Sequence, residues 1–170
     1  MNEIEKLKEK QEELKKEIEK LDTQIKELEE QEKKCKRWRA SRNGKYWHIT
    51  PSASAIVNYT IEINDGQDNR SYETGNYFRT EEEAKKVVEK IKIYTRLKDL
   101  ALRLNEGREV DWKNEKQNKY YIYFNHAEMK LSLLTGCLYQ DLGQIYCLDE
   151  NFFKIAKQEI GEENLKKLFE

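Results

Sequence analysis

The chain has 170 residues, enough for one compact domain and an appendage but hardly for two full-sized domains. Its net charge is only −1 although 38% of its residues are charged, which argues against a uniformly basic nucleic-acid binder and against an acidic solvating tail. Cys35, Cys137 and Cys147 lack C-x-x-C spacing, and no apolar run approaches the roughly 20 residues of a membrane span, so the expectation is a cytoplasmic protein without a disulfide framework, zinc site or membrane segment.

Residues 1–43 contain no Gly or Pro and no aromatic before Trp38, while nearly all the aromatics follow. Within this first part Ile4, Leu7, Leu14, Ile18, Leu21, Ile25 and Leu28 recur in steps of three and four, with Gln11 filling the one gap. That is a heptad seam with Ile at a and Leu at d, and a stripe so narrow needs a partner to cover it. The partner expected is another copy of the chain, so a homo-oligomer, with a dimer favoured; the bland alternative is a helix folded back on its own domain. In a parallel pair Glu3 would attract Lys8 but Lys10 would meet Lys15 and Glu17 would meet Asp22, whereas an antiparallel pair sets Lys8 against Glu29 and Lys15 against Asp22. The flanking charges therefore favour antiparallel pairing, although Gln11 meeting its own copy would be a parallel register device.

After Leu28 the seam decays into a basic run. Lys33, Lys34, Lys36, Arg37, Trp38, Arg39, Arg42 and Lys45 fall in a stretch without an acidic residue. Lys and Arg neutralise phosphates and a Trp among them can stack on a base, so these residues are the candidate contact for a partner or a nucleic acid. The bland reading is a solvated helix end whose cations complement the negative end of the helix dipole.

Beyond Gly44 short strands are expected around Tyr46 to Thr50 and Val57 to Ile63, then a turn at Asp65-Gly66 and a return through Arg70 to Glu73 and Gly75 to Phe78. Thr80-Glu81-Glu82-Glu83 has capping-box spacing and predicts a helix carrying Ala84, Val87, Val88, Ile91, Tyr94, Leu97, Leu100, Ala101 and Leu104 on one face and stopping before Gly107. Lys119 to Phe124 and Met129 to Leu134 read as a second strand pair, followed by a loop at Asp141 to Gly143 and another helix. Aligning Gly75-Asn76-Tyr77-Phe78 with Gly143-Gln144-Ile145-Tyr146 brings the two helix faces into correspondence, which points to an internal duplication. The expected fold is α+β: residues 1–36 an oligomerisation helix, 37–45 a basic hinge, and 46–170 a two-layer domain of two strand-hairpin-helix repeats, 46–106 and 119–169, sharing one antiparallel sheet with two helices against it.

The Glu/Lys-rich heptad leader, the segment Gly75 to Ala84, and the pair Asp111-Trp112 to Ile122 with Gly161 to Phe169 resemble small proteins of unknown function in bacteriophages and prophages of Gram-positive bacteria related to clostridia. The stretch Lys33 to Lys45 is richer in Arg than that group. The resemblance implies a phage accessory protein acting in the host cytoplasm, a kind that often binds and neutralises host defence components such as CRISPR effectors or defence-signalling nucleotides.

For catalysis there are two histidines. His48 lies in an aromatic strand and His126 in a hairpin turn, neither at a spacing that indicates a triad or a metal cluster, and no phosphate-cradling glycine motif is present. Glu81, Glu82 and Glu83 suit a helix N-terminus better than an acid-base cluster. Tyr120, Tyr121 and Tyr123 put rings on both faces of one strand, as recognition surfaces and thin sheets both do. The expected function is a non-enzymatic binding protein without cofactor or metal, acting on a host protein or nucleoprotein; the alternatives are direct nucleic-acid binding through the basic run and a sponge for signalling nucleotides.

Overall fold

The structure is a computed structural model that describes residues 2–35, 37–50, 56–136 and 140–169, and in the first helix the side chains other than those of residues 5, 6 and 29–35. The order is a long helix α1 (Glu3–Cys35), strands β1 (Lys45–Thr50) and β2 (Ile56–Ile61), helices α2 (Gly66–Glu73) and α3 (Glu81–Asn105), strands β3 (Lys119–Asn125) and β4 (Lys130–Gly136), and helices α4 (Phe152–Glu159) and α5 (Glu162–Lys166). The mixed α+β class expected from the pattern is present. Among the described residues no helix is long and apolar enough to cross a membrane.

α1 stands apart from the rest. Its seam residues Ile4, Leu7, Leu14, Ile18, Leu21, Ile25 and Leu28 are each 50–67% exposed, so the helix does not fold back to hide its stripe on its own domain.

The two hairpins do not merge into one sheet, contrary to expectation; β1 pairs with β2 and β3 with β4, each antiparallel, in two separate two-stranded sheets. One edge of each hairpin is closed by a non-strand segment. On the free edge of β1, Trp47 exchanges backbone hydrogen bonds with Phe78 at 2.9 and 2.8 Å, and the Asn76 carboxamide both accepts from the Ile49 N–H at 2.7 Å and donates to its carbonyl at 2.8 Å. On β3, Tyr120 exchanges bonds with Cys147 at 2.7 and 2.9 Å, and the Gln144 carboxamide donates to the Ile122 carbonyl at 2.9 Å. Backbone groups so satisfied are no longer open to another strand.

α3 is the spine that both hairpins share. The Thr80 hydroxyl accepts from the Glu83 N–H and the Glu83 carboxylate from the Arg79 and Thr80 N–H groups, closing the predicted capping box, and the helix ends where Glu106 turns left-handed at φ 51° before Gly107. Its buried stripe runs Ala84, Val88, then Ile93, Leu97, Leu100 and Ala101, whereas Ile91 and Tyr94, expected inside, are exposed. The five-residue step from Val88 to Ile93 turns the apolar face. The first half serves the β1–β2 side, and the second joins Ile122, Leu131, Ile145, Phe152, Ala156, Ile160 and Leu165 in the main apolar cluster. Asn105, buried at the end of the helix, accepts from the Leu148 N–H at 2.7 Å and ties the approach to α4.

One expected element was misread. Asp65-Gly66 is no hairpin turn but the start of α2: the Asp65 carboxylate accepts from the N–H groups of Gln67 and Asp68, and Asp68 reaches back in a capping box, so Arg70 to Glu73 are helical and not a returning strand. β2 correspondingly stops at Ile61, because Glu62 turns inward and the Ile63 N–H is taken by Asp68 at 2.7 Å.

Candidate functional site

The basic run that follows α1 is docked onto the β1–β2 unit. Gly44 makes the entry turn: its N–H donates to the Ser41 carbonyl at 2.7 Å, and a Cβ there would lie 2.8 Å from that same oxygen, so a side chain would force the turn apart. Asn43 before it is left-handed at φ 67°, and the pair Asn43 N–H to Glu62 carbonyl, 2.7 Å, and Glu62 N–H to Gly44 carbonyl, 2.8 Å, continues the strand pairing past β2.

At the centre of this contact sits Glu62, fully buried. Arg39 donates to both of its oxygens, Nε to Oε2 and Nη2 to Oε1, each at 3.0 Å, and Nη2 also donates to Asn69 Oδ1 at 2.8 Å. The Tyr77 hydroxyl donates to Oε2 at 2.6 Å and the Asn64 N–H to Oε1 at 2.9 Å. Arg39, then Tyr77 and Asn64, hold the Glu62 carboxyl below its ordinary range against the opposing effect of burial, and the pairing raises Arg39 in turn. Tyr77 passes the contact on, since its hydroxyl accepts from the Ala40 N–H at 3.1 Å and its ring stacks on Tyr46 at 3.8 Å.

Tyr46 in turn donates to Asp68 at 2.9 Å. Burial alone would raise Asp68, but the Ile63 N–H, the Tyr46 hydroxyl and the Asp65 N–H outweigh it and keep the carboxyl low. Burial and the neighbouring carboxylate push Tyr46 up to about 12, and Tyr77 is raised by burial and by Glu62. Each carboxylate in this network accepts several hydrogen bonds, which makes it a clamp for residues 37–44.

The predicted site residues therefore divide. Arg39 is committed to Glu62. Arg37 lies with its guanidinium 3.9 Å from the Tyr72 ring centroid, while the Tyr72 hydroxyl donates to the Arg37 carbonyl at 2.7 Å. Trp38 sits 5.8 Å from Tyr77 with Arg79 5.9 Å from its own ring. Arg42 is exposed and makes no hydrogen bond or ion pair with the described residues. Lys45 belongs to a different surface: its ammonium rests 4.2 Å from the Trp47 ring centroid and 3.8 Å from that of Tyr59, two rings that meet edge-on at 5.6 Å on the face of the first hairpin where Ile61 is also exposed. Lys36 and Cys137, and the side chains of Lys33, Lys34 and Cys35, lie outside the described residues.

The residues that hold the clamp were not singled out in the sequence. Glu62 gave a signal, as the one charge between Ile61 and Ile63, and Asp65-x-x-Asp68 has the spacing of a cap. A second buried charge was also missed: Lys119, fully buried, donates to the carbonyls of Asn114 at 3.1 Å and Gln117 at 2.8 Å and lies 5.4 Å from the Trp112 ring, which fixes the loop ahead of β3.

Among the described residues neither histidine is joined to a nucleophile. His48 lies in β1 with Nδ1 buried and unpartnered among the described residues; His126 lies in the β3–β4 turn, which Asn125 closes by accepting from the Ala127 and Glu128 N–H groups, and packs edge-on against Phe124 at 5.0 Å. Cys147 is a free thiol, buried against Ala101, and burial pushes it up and away from reactivity. Among the described residues no group of three or more His, Cys, Asp or Glu is placed to hold a metal.

Among the described residues the α1 seam and, on the first hairpin, the ledge of Lys45, Trp47 and Tyr59 are accessible to a partner. In comparisons with known proteins, no family model, no curated protein and no solved structure matches this chain.

Proposed function

We propose that this chain is a non-enzymatic, self-associating binding protein: α1 joins copies of the chain, and each α+β domain presents its aromatic ledge to a macromolecular partner. The observation that carries this reading is the continuous seam of α1, every aliphatic residue of which stands at least half exposed. A stripe of that length in water is the signature of a helix built for a partner helix. The two domain units are proposed to repeat one plan. In support, Gly75 and Gly143 are both left-handed at φ 80°, each is followed by a carboxamide that bonds a strand edge, and a single antiparallel bridge and a helix come next in both. The resemblance to phage accessory proteins makes a host defence component, such as a CRISPR effector, the partner class to test first.

Direct nucleic-acid binding is the weaker reading, because Arg39 is engaged with a buried carboxylate and Arg37 with a tyrosine ring. Light scattering on the full chain tests the main reading. The wild type runs as an oligomer at tens of micromolar, and Ile18→Asp with Leu21→Asp reduces it to a monomer without lowering the melting temperature of the domain. A wild type that is monomeric at that concentration, or a double variant that keeps its size, refutes it.

A further inference from the structure

The direction in which two copies pair is legible in the charges that flank the exposed seam. With Ile4, Gln11, Ile18 and Ile25 at a and Leu7, Leu14, Leu21 and Leu28 at d, Lys8, Lys15 and Asp22 fall at e, while Glu3, Lys10, Glu17 and Gln24 fall at g. All these residues lie in one unbroken helix, and their side chains are exposed. In a parallel pair each g residue faces the e residue five positions on in the other chain. Glu3 would then attract Lys8, but Lys10 would face Lys15 and Glu17 would face Asp22, each twice by symmetry.

We infer that the occupant of the seam is a second copy of this chain lying antiparallel, in the register that sets Ile18 against Leu21. The inference rests on the self-association proposed above. Moving outward from the two-fold axis, Ile18–Leu21 is followed by Leu14–Ile25 and then Gln11–Leu28, so five of the six side chains are aliphatic. Antiparallel packing brings e against e and g against g. Lys15 then faces Asp22 on both sides of the axis, and Glu17 faces the neutral Gln24.

Sliding the copies by one heptad in either direction loses this. With Ile18 against Leu14, Lys15 meets its own copy and Glu17 meets its own; with Ile18 against Leu28, Asp22 meets its own. The register centred on Ile18 and Leu21 is the one of the three that puts no like charges together at the axis. In the single helix Lys15 pairs with Glu12 at 3.0 Å, an exposed contact that screens readily and yields to a cross-chain partner. Gln11 comes opposite Leu28, the last aliphatic position of the partner's seam.

The two orientations predict opposite signs for the same substitutions. In the antiparallel pair, Lys15→Glu and Asp22→Lys each turn two attractions into two repulsions and weaken the dimer about tenfold, and the double variant regains wild-type affinity within roughly twofold. In a parallel pair each single variant would turn Lys10–Lys15 or Glu17–Asp22 into an attraction and tighten the dimer. Sedimentation of the full chain at low salt reads the Kd. Because any effect inside one helix persists in the double variant, its recovery reports only the cross-chain pair. Weakened singles with a restored double support the inference; tightened or unchanged singles, or an unrestored double, overturn it while leaving self-association intact. A wild type that sediments as a monomer at every concentration overturns both.

Discussion

The two hairpin units of the domain solve the same burial problem with different chemistry. Around β1 and β2 the fully inaccessible side chains include Tyr46 and Glu62, joined through Tyr77, Asp68 and Arg39 in a hydrogen-bonded and aromatic network. Around β3 and β4 they include Ile122, Phe152 and Leu165, held by apolar contact. The first unit must do something the second need not, namely receive the segment that follows α1 and hold it in one direction. Apolar packing is non-directional, whereas a carboxylate that accepts from Arg39, Tyr77 and Asn64 together accepts one arrangement. The contrast teaches that the polar unit is the attachment point and the apolar unit is the anchor of stability.

Measurements on the domain test that contrast, beginning with the largest effect. Phe152→Ala empties a fully buried site in the apolar cluster, and urea denaturation is expected to show a loss of about 4 kcal/mol. If it proves milder than any change in the polar network, stability is not centred where the packing places it. Next comes Glu62→Gln, which leaves Arg39 without its counter-charge; because that guanidinium side chain is 31% exposed and partly screened, the expected loss is about 2–3 kcal/mol.

The same variant has a pH signature. Glu62 and Asp68 are held low in the fold, so their contribution is present above their ordinary values of 4.5 and 3.8 and is lost as pH falls below these through the lowered folded values. Glu62→Gln should therefore flatten the fall in melting temperature below about pH 4.5. At the alkaline end Tyr46 is raised, so its contribution is intact below its ordinary 10.0 and disappears as pH climbs towards about 12, which tyrosinate absorbance follows. The smallest effect concerns the helix starts. Thr80→Ala removes a capping hydroxyl from α3 and should cost about 1 kcal/mol, while Asn151→Ala at the head of α4, where no side-chain cap bond is formed, should leave thermal stability unchanged.

Much of this architecture could be read from local patterns. The heptad of α1, the capping box at Thr80, the stop at Gly107 and the strand pairs all follow from periodicity and cap chemistry acting over a few residues. Where reading failed, the deciding partner lay far along the chain. Arg39 looks like one more cation in a basic run until Glu62, 23 residues on, comes beside it. Asp65-Gly66 looks like a turn because the dipeptide does serve turns, and only the reciprocal bond with Asp68 makes it a helix cap. Ile91 and Tyr94 fit an unbroken helical stripe, but α3 serves two units and its buried face rotates between them. Nor do Asn76 and Gln144, unremarkable polar residues in the sequence, announce that they close one edge of each hairpin, on β1 and β3.

Those two carboxamides also bear on how the protein behaves when concentrated. A short exposed strand is an invitation to further strands, from a neighbouring molecule as readily as from the same chain. Asn76 and Gln144 imitate a peptide group in side-chain form and plug β1 and β3 on that side, so among the described residues growth of either sheet is left to β2 and β4. Under the self-association proposed above, such plugs let helices meet while discouraging the disordered, edge-to-edge association that crowded hairpins otherwise undergo.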